Sequence, residues 1–120
     1  MRIISGRYKG RAINPPKNLR ARPTTDFAKE NLFNVLTNLV DFEQCDVLDL
    51  FSGTGSISYE FASRGVHSVT SVEINPVHYN FIKKTAADLG YYDFQGFDCT
   101  NGIIYFYEGT GNNNDGKTAS

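Results

Sequence analysis

Three residues in the stretch VLDLFSGTGSISYE, residues 47–60, can do chemistry together: the carboxylate of Asp49 and the bare backbone of Gly53 and Gly55. A Gly-x-Gly turn lets main chain approach a ligand closely, because no Cβ stands in the way. A second carboxylate, Glu73, follows 20 residues after Gly53. In a nucleotide-binding α/β unit, an acid at that place accepts hydrogen bonds from both ribose hydroxyls. The dinucleotide fingerprint asks for a third glycine at position 58, where this chain has Ser58. Asp49, just ahead of the FSGTGS loop, repels a pyrophosphate and attracts a cation. The set offers close backbone, negative charge and a ribose clamp, with no phosphate cradle. S-adenosylmethionine fits that description: it carries a ribose, a positive sulfonium and an amino-acid tail, and no phosphate. Two alternatives stay open, an ordinary tight turn after a strand and a nicotinamide-dependent enzyme.

A second chemical feature is charge. The formal net charge is −1, yet residues 1–29 hold eight basic side chains (Arg2, Arg7, Lys9, Arg11, Lys17, Arg20, Arg22, Lys29) against Asp26 alone. The remaining residues hold four basic and twelve acidic side chains. A basic arm on an acidic body points to a polyanionic partner, nucleic acid first, because phosphate contacts release counterions. A merely solvated basic hairpin is the plainer reading. Cys45 and Cys99 have neither CxxC spacing nor a histidine at ligand spacing. No metal site is expected, and both read as small buried hydrophobes. His67 and His78 are isolated and read as surface or helix positions. Tyr91, Tyr92 and Phe94 can stack on bases but read better as core residues. No Ser-His-Asp or Cys-His arrangement can be inferred from spacing.

The elements that must position these groups follow from periodicity and turn residues. MRIISGRYKGRAIN reads as a short hairpin turning at Lys9-Gly10, and PPKNLRARPTT as an extended loop. A helix is predicted from Asp26 to about Val40, capped by Thr24, Thr25 or Asp26. Its apolar face would be Leu32, Phe33, Leu36, Leu39 and Val40. Asp46–Phe51 is predicted as a buried strand and Ser56–Arg64 as a helix, with Gly65 at its left-handed end. Ser68–Glu73 reads as a second strand. Asn75-Pro76 opens a helix running to about Leu89, ended by Gly90. Phe94–Asp98 and residues 103–107 read as further strands. Alternation at this pitch predicts α/β architecture with a parallel sheet and right-handed crossovers. Three units are expected: a basic hairpin and loop over 1–25, a cofactor-binding domain over 26–108, and a disordered tail over 109–120. No run approaches the length of a membrane span, and the N-terminus lacks a signal-peptide core. No membrane partner is therefore expected, and a cytoplasmic address is.

VLDLFSGTG followed by VTSVEIN resembles the first two cofactor motifs of class I S-adenosylmethionine-dependent methyltransferases. More narrowly, MRIISGRYKGRAINPPKNLRARPTTDFAKENLFNVL resembles the N-terminus of the RsmD-like family. That family methylates the exocyclic N2 of a guanine in small-subunit ribosomal RNA. The resemblance covers about residues 1–90 and implies a Rossmann-like fold with ribosomal RNA or the small subunit as partner. It also implies roles. Asp49, Phe51, Ser52, Gly53, Thr54 and Gly55 would surround the methionine part of the cofactor. Glu73 would hold the ribose, Ile74 and Asn75 would flank the adenine, and Asp98 would meet the adenine amino group. Arg22 and Thr24, in RPTT, would close over the cofactor. Arg7, Lys9, Arg11 and Arg20 would track RNA phosphates.

One part that the resemblance requires is missing. An exocyclic amino nitrogen is a poor nucleophile, because its lone pair is delocalised into the ring. Related enzymes hold it with an Asp/Asn-Pro-Pro-Tyr/Phe loop after the fourth strand. No such loop follows residue 98. Asn14-Pro15-Pro16 precedes the first cofactor strand and has Lys17 in place of the aromatic, so it reads as loop punctuation. No catalytic residue is therefore assigned, and truncation or a frameshift after about residue 98 is the expectation. Half a sheet would leave a long strand edge, which favours a homodimer.

Overall fold

The computed structural model describes residues 1–17, 19, 24–89 and 97–107, and for 97–100 the backbone. Helix α1 (Asp26–Leu39) begins at Thr25, whose hydroxyl accepts the Ala28 amide at 3.1 Å. That satisfies one of the orphan donors at a helix start. A single 3₁₀ turn (Phe42–Gln44) leads to strand β1 (Asp46–Asp49). Helix α2 (Ser56–Ser63) follows the glycine turn, and Gly65 takes the left-handed conformation after it. Strand β2 (Ser68–Val72) and helix α3 (Pro76–Asp88) come next. The Asn75 side chain caps α3 by accepting the Val77 amide at 2.9 Å, with Pro76 in the first turn. Strands β3 (Phe97–Thr100) and β4 (Ile103–Tyr107) close the described chain.

The sheet order is β1-β2-β4-β3. Among the described residues only β1 and β2 pair in parallel, with Asp49 opposite Ser71. The β2–β4 and β3–β4 pairs are antiparallel, so the sheet, expected to be mainly parallel, is mixed among the described residues. The cause is local. Asn101 and Gly102 both take positive φ, 48° and 85°, as a two-residue hairpin turn of mirror-image type requires. Two residues cannot make the crossover that a parallel neighbour needs. The Glu73 amide donates to the Gly102 carbonyl at 2.8 Å, so the hairpin tip is tied to the end of β2.

One face of the sheet carries Val69, Ile104 and Phe106, all buried. α2 and α3 cover this face through Tyr59, Ala62, Ile82, Ala86 and Leu89, and Ile3 and Ile13 of the N-terminal arm join the same core. The other face is open among the described residues: Leu48 is 61% exposed and Ile103 45%. β1 is therefore not the buried strand expected. It is shorter than predicted, lies at the sheet edge and packs on one side only. The apolar face predicted for α1 is also mostly exposed. The helix is held by Phe33, whose ring meets Phe61 and Phe42 edge-on at 4.6 and 6.2 Å, and by Lys29.

The predicted hairpin at the N-terminus survives as one antiparallel bridge, Arg2 to Ala12, with the Ile3 amide donating to Arg11 and the Gly10 amide to Ile3. Among the described residues no helix is long and apolar enough to cross a membrane. The expected strand start at Phe94, the helix stop at Gly90 and the tail over 109–120 lie outside the described residues. Cys45 is free and half-buried, with its thiol on the Asp41 carbonyl, so it is less enclosed than expected.

Candidate functional site

The parallel pair β1–β2 places Asp49 and Glu73 at the same end of the sheet, with the glycine turn between them. The turn is fixed by its own main chain. The Ser52 amide donates to Val72 at 3.2 Å, and the Gly55 amide donates to Ser52 at 2.7 Å. Gly53 and Gly55 take φ of 58° and 85°, a region that costs any L side chain. The Ser52 hydroxyl turns back to the Asp49 carbonyl, and the buried Thr54 hydroxyl meets Met1 Sδ at 3.7 Å. Neither hydroxyl fills the mouth of the turn.

Glu73 sits at that mouth. Its Oε1 accepts the Gly53 amide at 2.8 Å, and its Oε2 accepts the Asn75 amide at 3.0 Å. His78 Nδ1 lies 3.5 Å from Oε2, and both side chains are mostly buried. Asp49 Oδ2 accepts the Ser58 hydroxyl at 2.8 Å. Ile74 and Phe51 stand exposed beside the turn, at 93% and 91%. The arrangement has two fixed carboxylates, a bare turn and apolar flanks. It can hold a ligand with a vicinal diol and a cationic end.

The remaining expected site residues are placed less directly. Thr24 is half-buried immediately before the Thr25 cap. Arg20 and Arg22 lie outside the described residues. Asp98 is in β3, opposite Tyr105 and so level with Thr70. A whole strand, β4, separates it from β2 and Glu73. Arg7, Lys9 and Arg11 are exposed on the N-terminal arm. Arg11 Nη2 also donates to the Asp88 carbonyl at 2.9 Å, at the end of α3. A cation there complements the negative end of the helix, so Arg11 ties the arm to the body.

Three neighbours of the site were not singled out from sequence: Ser58 as a partner of Asp49, His78 beside Glu73, and the Gly102 tip against the Glu73 backbone. Asn101-Gly102 between two strand-like runs is the signal that would have revealed the last.

Directly beneath Gly55 lies the buried ring of Tyr59. Its hydroxyl finds no hydrogen bond of ordinary geometry among the described residues. Burial pushes its ionisation well above the usual tyrosine range, and the Thr85 side chain opposes that shift. Tyr59→Phe keeps the ring and removes an unsatisfied polar atom. It is expected to leave stability unchanged or raise it by up to about 1 kcal/mol. The urea midpoint reads this out, and a clear loss would mean that the hydroxyl is bonded in solution.

Residues 1–107 match the family model described as conserved hypothetical protein 95. The ribosomal RNA small subunit methyltransferase D of Haemophilus influenzae is 37% identical over 89 residues, which cover 74% of this chain and 45% of that protein. The Escherichia coli K12 protein of the same name is 39% identical over 75 residues, covering 62% and 37%. Among solved structures, the Escherichia coli protein yhhF, provisionally described as a methyltransferase, superposes with a TM-score of 0.64 at 31% identity, covering 74% of this chain and 46% of that one. A hypothetical protein of Thermus thermophilus superposes with the same TM-score, 0.64, at 29% identity, covering 75% and 50%. The chain thus spans about half the length, or less, of the relatives it matches. Its α/β arrangement is that of a Rossmann-like methyltransferase fold. Over residues 1–107 the chain belongs to the conserved hypothetical protein 95 family, the RsmD-like family that its N-terminal sequence resembles.

Proposed function

We propose that this chain binds S-adenosylmethionine between Asp49, the Gly53–Gly55 turn and Glu73, and that it serves methylation of a guanine N2 in small-subunit ribosomal RNA. The observation that carries the reading is the Glu73 carboxylate, held at the mouth of the turn by the Gly53 and Asn75 amides. Oε1 keeps a second acceptor direction, so a fixed carboxylate faces a ribose diol. Asp49 supplies negative charge for the ligand's cationic end, and Ile74 and Phe51 supply apolar surface for its flat ring. When bound, S-adenosylmethionine supplies a methyl group on a positively charged sulfur. The chain's own contribution is placement, which removes the entropic cost of bringing reactants together. The names of the relatives support the RNA half of the reading. Arg7, Lys9 and Arg11 present cations that phosphates would meet.

A second reading, cofactor or RNA binding without turnover, is favoured by the β3–β4 hairpin. Antiparallel β4 takes the place beside β2 among the described residues.

Calorimetry with S-adenosylmethionine and S-adenosylhomocysteine tests the cofactor half. The unaltered chain is expected to bind both, and Glu73→Ala to weaken binding at least ~10-fold, the worth of one charged hydrogen bond. Equal binding by Glu73→Ala would remove the ribose assignment. Transfer of labelled methyl to 30S particles or naked small-subunit RNA separates the two readings: turnover sinks the second, and binding without turnover sinks catalysis by this chain.

A further inference from the structure

Asp49 lies on the helix-covered side of the sheet, in register with Ser71. A carboxylate facing that side is partly removed from water, which is costly unless donors replace the water. Two serines do so here. The Ser58 hydroxyl donates to Asp49 Oδ2 at 2.8 Å. Ser58 and Ser71 are fully buried, and their hydroxyls form a short hydrogen bond with each other. Each hydroxyl has one proton. Since Ser58 gives its proton to the carboxylate, the Ser71 proton must go to Ser58 Oγ. The order is therefore Ser71 to Ser58 to Asp49, a chain in which each bond strengthens the next. Among the described residues, Asp49 Oδ1 accepts no hydrogen bond, so one oxygen is anchored while the other is left for a ligand.

We propose that Ser58 and Ser71 are positioning residues that hold the Asp49 carboxylate fixed and aimed at the amino-acid end of the ligand, and so make this turn select a cationic adenosine compound. The inference rests on the cofactor reading above and deepens it. It gives a positive role to the position where a dinucleotide site would carry a glycine. A glycine there could donate nothing to Asp49. The same serine places a carboxylate where a pyrophosphate would need room and positive potential. The Ser71 hydroxyl has no direct path to the ligand, since it acts through Ser58.

The test compares two ligands on the same chain by calorimetry: S-adenosylhomocysteine, which carries the amino-acid tail, and adenosine, which lacks it. Ser58→Ala is expected to weaken S-adenosylhomocysteine ~10-fold and to leave adenosine within about twofold, since a hydrogen bond to a charged group is lost only at the tail. Ser71→Ala is expected to shift the same ratio in the same direction by about threefold. In an Asp49→Asn background, Ser58→Ala is expected to add nothing. A merely structural serine would weaken both ligands together, so an unchanged ratio in Ser58→Ala overturns the proposal. If Ser58→Ala fails to fold in a thermal melt, the Ser71→Ala ratio decides. Absence of binding of either ligand to the unaltered chain sinks the cofactor reading itself and the relay with it, whereas normal binding with an unchanged ratio sinks the relay alone.

Discussion

Glu60→Ala is expected to destabilise the chain by about 3–5 kcal/mol, the usual cost of removing one partner from a buried charge cluster. Glu60 has no solvent exposure and Lys29 has 1%. The Glu60 carboxylate accepts the Ile4 amide at 2.9 Å, the Ser5 amide at 3.1 Å and Arg64 Nε at 2.8 Å, and Lys29 Nζ stands 3.5 Å away. Lys29 also donates to the Arg2 carbonyl at 2.7 Å and to Ser56 Oγ at 3.1 Å. Arg64 in turn lies over the Phe33 ring at 4.5 Å from its centroid. One acid therefore joins three pieces: the N-terminal arm, α1 and α2. Alanine would leave two amides and two cations without their acceptor. Glu60→Gln keeps one carbonyl acceptor and is expected to lose less, about 1–3 kcal/mol.

The variant also carries a pH signature. Burial already holds the Lys29 amine below the usual lysine range, and the Glu60 charge is the main force raising it back. Without Glu60 the depression deepens. The unfolded chain then binds more protons than the folded one below the ordinary lysine value, so stability rises with pH toward about 10.5. Denaturant midpoints at neutral and mildly alkaline pH should converge on the unaltered chain from below for Glu60→Ala. A flat difference would mean that Lys29 finds another anion. Limited proteolysis gives a second readout, because loss of Glu60 should expose the arm at residues 4 and 5.

This cluster shows what could and could not be read from the sequence. Each helix is bounded by local chemistry: Thr25 and Asn75 as caps, Pro76 in a first turn, Gly65 after α2. Such signals act over four or five residues, and they are legible without a fold. The pairing of Asp49 with Glu73 was legible too, because a strand, turn, helix and strand of ordinary length bring those two ends together. What failed depends on partners distant in sequence. Glu60 looks like a surface acid on an amphipathic helix until an arm 55 residues away lies across it. The apolar face of α1 reads as core, yet Leu32, Leu39 and Val40 stay exposed among the described residues. The antiparallel β3–β4 hairpin was a different failure. Its Asn101-Gly102 turn is a strong short-range signal that the expectation of a parallel sheet overrode.

Gly55→Ala is expected to abolish ligand binding at the turn and to cost about 3 kcal/mol or more of stability, from two separable causes. The first is backbone. Gly55 has φ of 85°, where an L residue pays about 1–2 kcal/mol. The second is a collision. The new Cβ would stand 2.5 Å from Tyr59 Cζ and 2.6 Å from its hydroxyl, and that ring is fully buried among Phe106 and its neighbours. A rigid ring in a packed core cannot retreat, so the turn must move instead. The Gly55 amide bonds Ser52 and its carbonyl accepts the Tyr59 amide at 2.9 Å, so the displacement reaches both the turn and the first turn of α2. A double-mutant cycle with Tyr59→Leu separates the causes, because the smaller side chain removes the collision and leaves the strain. The Gly55→Ala change is expected to cost about 1–2 kcal/mol less in the Tyr59→Leu background than in the unaltered one, with binding only partly restored. Gly55→Ala behaving like the unaltered chain in both melt and calorimetry would show that the turn is not held over Tyr59 in solution. The close backbone approach on which the cofactor site depends would then be lost.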